Sequence, residues 1–222
     1  MVAGNLIGEL VDYLLQKASS GRRFIVAIAG IAGSGKSYLS EHISSAVNVR
    51  YGAEVSIVLP MDGFHLTKAQ LASMDDPEVA FARRGAPWTF DAVRFVELVR
   101  QVRSNSVDDS VVWWPSFDHA AGDPVEGMIA VRASHRVVLI EGLYAHVNSE
   151  PWAAVGGELA DELWWVSPRS RDISRERLVQ RHIATGLAHN RDEAAQRIAD
   201  NDSINGEFAE SRRHRPTRVI DN

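Results

Sequence analysis

The segment that most limits what this chain can become is Gly30-Ile31-Ala32-Gly33-Ser34-Gly35-Lys36-Ser37, which fits the spacing G-x-x-x-x-G-K-[ST] at every required position. A compact apolar run, residues 24–29, precedes it and reads as a buried strand. Leu39, Ile43 and Val47 follow at helical spacing. A strand that passes through a glycine-rich turn into a helix makes a cradle for phosphate. The glycines let backbone N–H groups converge on one point, and the helix start adds positive potential there. Gly30, Ala32, Gly33, Ser34 and Gly35 would supply that backbone, with Tyr38 just beyond it on the helix. Lys36 would reach the β- and γ-phosphates of a nucleotide, and Ser37 would offer a hydroxyl to magnesium. The rival reading is a strand-to-helix turn with a chance lysine, and spacing and context argue against it.

The remaining pattern alternates strands and helices. Leu6, Leu10, Tyr13, Leu14 and Lys17 suggest an opening amphipathic helix ended by Gly21. Buried strands are expected at residues 55–59, 137–140 and 163–166, with short strands at 111–114 and 218–220. Asp91 is placed to cap a helix whose apolar face is Phe95, Val96, Val99 and Val102. Between residues 64 and 90 the pattern is broken, with Asp75-Asp76-Pro77 and Gly85-Ala86-Pro87 read as turns, and residues 115–124 read as a loop. Two late helices, about 169–185 and 191–208, are joined by residues 186–190. Such alternation predicts an α/β chain with a mainly parallel sheet covered on both faces. At 222 residues, 45% of them hydrophobic, the chain is expected to form a single domain over residues 1–222.

Two carboxylates stand where a phosphate cradle would use them. Glu141 ends the apolar run Val137-Val138-Leu139-Ile140, and ligands of open parallel sheets gather at the carboxyl ends of strands. It could hold magnesium, or it could be a solvated acid at a strand end. Asp62 also follows an apolar strand. It could take the proton of an attacking hydroxyl, or only cap its turn with Gly63.

Behind the cradle come Asp62-Gly63-Phe64-His65, Arg83-Arg84-Gly85-Ala86-Pro87-Trp88-Thr89-Phe90-Asp91, Pro115-Ser116-Phe117-Asp118 and Glu141-Gly142-Leu143-Tyr144. In this order they resemble the phosphoribulokinase/uridine kinase family of P-loop kinases, from about residue 24 to 208. The likeness is greatest to the branch of bacterial pantothenate kinases, fructose-transport-associated kinases and related fungal proteins. The resemblance implies a P-loop NTPase fold with a five-stranded sheet and a helical lid, here about residues 169–190. It implies ATP and Mg2+ as cofactors, with Asp62, Lys36 and Arg181 catalytic and Arg177 at the nucleotide. Ser37 and Glu141 would serve the metal, and His65, Arg84 and Tyr144 the acceptor. The implied activity is phosphoryl transfer to an alcohol, whether a sugar or a pantothenate-like or nucleoside-like metabolite. Gly63-Phe64-His65 departs from the aromatic residues usual in nucleoside kinases at that place.

Arg177 and Arg181 are four apart and share a helix face. Arg171 and Arg175 share another, which reads as solvated. Trp88, Trp113 and Trp114 could line the acceptor pocket or belong to the core. Residues 201–205 are a weaker pointer to the nucleotide. The chain lacks an Asn-Lys-x-Asp guanine reader, which argues against a GTPase switch. A nucleotide-binding regulatory protein or an NTPase without acceptor is the alternative. With no cysteine, disulfide and thiolate chemistry are excluded, and a formal net charge of -5 gives no case for nucleic acid. No apolar run approaches the roughly 20 residues needed to span a bilayer, and no signal peptide is visible, so a cytoplasmic location is expected. A small-molecule hydroxyl substrate is the expected partner, without membrane, and a homodimer is left open.

Overall fold

The computed structural model describes residues 4–20, 22–104, 110–118 and 120–222. Its frame is a parallel sheet of β1 (Phe24–Ala29), β2 (Ser56–Pro60), β5 (Val137–Glu141), β6 (Glu162–Ser167) and β7 (Arg218–Asp221), in the spatial order β2-β5-β1-β6-β7. Strands β3 (Val112–Asp118) and β4 (Asp123–Val131) pair apart from it as an antiparallel hairpin.

The central strands β1 and β5 are apolar up to the Glu141 end because both faces are covered, whereas the edge strand β7 keeps Arg218 and Asp221. Val26, Ile28, Val137, Leu139, Trp164 and Val166 face a layer made by α1 (Gly4–Ala18) and α2 (Lys36–Tyr51), through Leu10, Leu14, Leu39, Ile43 and Val47. Ile25, Ala27, Val138, Ile140 and Trp165 face the opposite layer. There α5 (Ala92–Ser104) contributes Phe95, Val96, Val99 and Val102, each burial worth about 1.5–3 kcal/mol. Asp91 caps α5 as expected, its Oδ1 accepting from the Arg94 N–H at 3.0 Å.

Two stretches differ from the sequence reading. Within residues 64–90, α3 (Lys68–Ala72) and α4 (Pro77–Ala82) form. Asp76-Pro77 is a helix start, with Asp76 Oδ1 accepting from the Val79 N–H at 3.0 Å and the proline in the first turn, where no N–H is missed. Residues 115–124 are largely strand. The ladder continues past Pro115 because its register shifts between Trp114 and Ser116, and such an irregularity accommodates a proline that cannot donate. Gly21, the expected helix stop, and residue 119 of the expected loop lie outside the described residues.

After β6 come α6 (Arg171–Ala184), α7 (Arg191–Arg197) and α8 (Ser203–Ser211). A wider π-type turn, Ile198–Asp202, carries α7 into α8 without a break. Leu178, Val179, Ala188, Ala194 and Ile198 close a small apolar cluster of their own, with Ala32 of the glycine loop packed against it.

Candidate active site

Parallel register brings the site together. Glu141 is paired with both Ile28 and Pro60, so β1, β2 and β5 end side by side and release the glycine loop, Asp62 and Glu141 at one rim. Gly33 and Gly35 adopt φ of 76° and 87°, a region that side-chain-bearing residues enter only at a cost of about 1–2 kcal/mol. A Cβ on Gly33 would lie 2.4 Å from the Ser174 carbonyl oxygen of α6. Helix α2 starts at Lys36 with no side chain capping it, so its first N–H groups remain open to an anion. Asn222 supports the loop from beneath, its amide donating to the Ser34 carbonyl at 2.8 Å.

Lys36 Nζ lies 3.4 Å from Glu141 Oε1. Glu141 is buried, and burial pushes its carboxyl above the usual carboxylate range. Lys36 opposes that shift, the nearby Asp62 carboxylate adds to it, and the Ser37 hydroxyl opposes it. A buried carboxylate beside a second acid and a hydroxyl is an oxygen donor set short of positive charge, which fits a magnesium ion. Asp62 occupies a short 3-10 turn, Met61–Phe64, and is exposed. Among the described residues no hydrogen bond or ion pair ties its carboxylate.

The expected acceptor contacts divide. His65 is half-buried, its Nδ1 2.8 Å from the Asp62 carbonyl and its ring 4.0 Å from Phe90. Tyr144 is fully buried and its hydroxyl donates to the Gly85 carbonyl at 2.6 Å. Its polar end is thus used inside the core rather than turned to the rim where it was expected on the acceptor. Arg84 is likewise committed. It donates to the Gly122 carbonyl at 2.5 Å, the Leu66 carbonyl at 2.9 Å and Asp123 Oδ1 at 3.0 Å, so its charge is neutralised by the β3–β4 hairpin.

Of the arginines on α6, Arg177 reaches the glycine loop, with Nη1 3.4 Å from the Gly33 carbonyl. Arg181 is exposed one turn on, and its charge is felt at Asp202 and His182. Arg171 pairs with Glu210 at 2.9 Å, and with Arg175 it borders a cleft of about 190 Å³ beside Ile31 and Ala32. Trp114 is core, donating its indole N–H to the Pro60 carbonyl at 2.9 Å, whereas Trp88 and Trp113 are exposed. Sequence reasoning missed Arg83, whose Nε and Nη2 donate to Asn201 Oδ1 and Asn205 Oδ1, each at 3.1 Å. The weak pointer at residues 201–205 was the available signal.

A parallel sheet with an open glycine cradle and convergent lysine, serine and carboxylates at its carboxyl rim defines a P-loop protein. A protein of Schizosaccharomyces pombe named, provisionally, a uridine kinase is 38% identical over 212 residues, covering 96% of this chain and 88% of that protein. The ATP-dependent kinase-like protein notR' of Aspergillus versicolor is 44% identical over 148 residues, 66% of this chain and 85% of its own. Among solved structures, a protein of Silicibacter sp. TM1040, named provisionally for a fructose transport system kinase, superposes with a TM-score of 0.80 at 30% identity. That match covers 96% of this chain and 98% of the other. No family model matches the chain. The chain belongs to the phosphoribulokinase/uridine kinase family of P-loop kinases. Among its described residues no helix is long and apolar enough to cross a membrane.

Proposed function

We propose that the protein transfers the γ-phosphoryl group of ATP to a hydroxyl of a small-molecule acceptor. The observation that carries this reading is Asp62, an exposed carboxylate with no hydrogen bond or ion pair among the described residues, at the same rim as Lys36, Ser37 and Glu141. A protein that only bound nucleotide would have no use for a base on the acceptor side of the cradle. The kinase names of the relatives support the same reaction class.

In this mechanism the loop from Gly30 to Gly35 and the open start of α2 hold the phosphate chain through backbone N–H groups. Lys36 leaves Glu141 for the β- and γ-phosphates and offsets the charge that builds there. Ser37 and Glu141 would hold magnesium, which when bound neutralises phosphate charge. Asp62 accepts the proton of the attacking hydroxyl. Arg177 and Arg181, on one face of α6, close over the transferring group, with Arg177 already at the cradle. His65, held over Phe90, lines the acceptor side.

The test is a coupled ADP-release assay with MgATP and a panel of sugars, hydroxy acids, pantothenate and nucleosides. One or more acceptors should stimulate release, and Asp62→Asn should abolish that stimulation while MgATP still binds. If no acceptor raises the rate and MgATP binding persists in a Lys36-dependent manner, the protein is a nucleotide-binding regulator or a bare NTPase.

A further inference from the structure

Arg83 and Arg84 are neighbours in sequence, yet the fold treats them in opposite ways. Arg84 is paired with the Asp123 carboxylate and two backbone carbonyls. Arg83 meets only neutral oxygens, the side-chain amides of Asn201 and Asn205. Among the described residues no carboxylate forms an ion pair with it, and its Nη1 has no partner.

The two asparagines are buried, 5% and 4% exposed, and their orientation is fixed by bonds on the other side of each amide. Asn201 donates its N–H to the Arg84 carbonyl at 2.9 Å, and Asn205 donates to Asn201 Oδ1 at 3.1 Å. Both amide oxygens must therefore face Arg83. A half-buried guanidinium left without a counter-ion is unfavourable, and neutral amides orient it without cancelling its charge. The fork is thus held in place by neutral partners.

Its position makes that charge useful. Asn205 precedes Gly206, which lies against Ile31 of the glycine loop, where an added Cβ would come within 3.3 Å of Ile31 Cγ2. Arg83 itself enters from the other side, on the loop that leads through Gly85 to Phe90, the residue stacked on His65. Arg83 therefore bridges two segments that each approach the rim, the start of α8 beside Ile31 and the loop that leads to Phe90 and His65.

We propose that Arg83 is the anion-binding residue of the acceptor site, and that the acceptor alcohol carries a carboxylate or a phosphate ester. Guanidinium with two nitrogens already anchored presents its remaining N–H edge in one direction, which suits a planar or tetrahedral oxyanion. Asn201 and Asn205 are positioning residues that act through it. This inference rests on the phosphotransfer reading above, and it assigns the substrate class that reading leaves open.

Two measurements test it. In the ADP-release assay, hydroxy acids and sugar phosphates are compared with the matching neutral polyols, sugars and nucleosides. The stimulating acceptor should be anionic, and Arg83→Gln should raise its KM on the order of 10- to 100-fold with the KM for MgATP unchanged. Arg83→Lys should recover part of that loss. A neutral acceptor as the best substrate, or an unchanged acceptor KM in Arg83→Gln, overturns the proposal.

The second measurement needs no turnover. The protein is loaded with MgADP and its melting temperature followed as inorganic phosphate is added. The phosphate-dependent rise should be larger in the wild type than in Arg83→Gln, and equal rises overturn the anion site. Failure of every acceptor with a clear Arg83-dependent phosphate response would instead remove the phosphotransfer reading and leave the anion site standing.

Discussion

His146 gives a prediction whose size follows from its surroundings. It is 1% exposed beneath β1, and its Nε2 lies 2.8 Å from the Ala27 carbonyl, so Nε2 carries the proton and donates. Its Nδ1 is buried without a partner among the described residues, so a second proton there would be unsatisfied. Burial lowers the imidazole from 6.5 to about 4, the Ala27 bond partly opposes this, and the nearby Arg213 and His214 charges add to it. The unfolded chain therefore binds a proton at this ring between the two values while the folded protein does not. Stability is complete above the unfolded value and is lost as pH falls from there towards the folded one. Integrating that difference gives a loss of about 2 kcal/mol at about pH 5 relative to about pH 7.5. Urea unfolding at the two pH values, on the wild type and His146→Gln, isolates the contribution. His182 and His135, also held below their usual value, titrate equally in both proteins and cancel. The wild type should lose about 2 kcal/mol more than the variant. Equal losses would mean that the ring takes up its proton in the folded state, and the reasoning from burial would fail.

Two further outcomes follow from the site. Gly33→Ala places a Cβ against the Ser174 carbonyl in a left-handed backbone, so the glycine loop and α6 must separate. Its affinity for MgADP should fall about 10-fold or more, read by calorimetric titration alongside a lower melting temperature. Tyr144→Phe leaves the Gly85 carbonyl without its donor and should destabilise the fold by about 1–3 kcal/mol in urea unfolding. The acceptor KM should change little, because that hydroxyl is not free to touch substrate.

The features legible in the sequence were those set by local backbone chemistry. The glycine cradle, Asp62 and Glu141 could be placed because each adjoins an apolar strand, and parallel strands covered on both faces must end at a common rim. The caps and bulges were harder, since Asp76-Pro77 and Pro115 have turn chemistry and their roles depend on what packs beside them. The arginines lay beyond any local reading. Arg83 and Arg84 are adjacent and chemically identical, and nothing in their neighbourhood says which one meets a counter-ion. Tertiary structure decided it by bringing Asp123 to Arg84 from 39 positions away, and Asn201 and Asn205 to Arg83 from 118 and 122. A side chain's availability is set by its partners in space, and for long polar side chains those partners are rarely near in sequence.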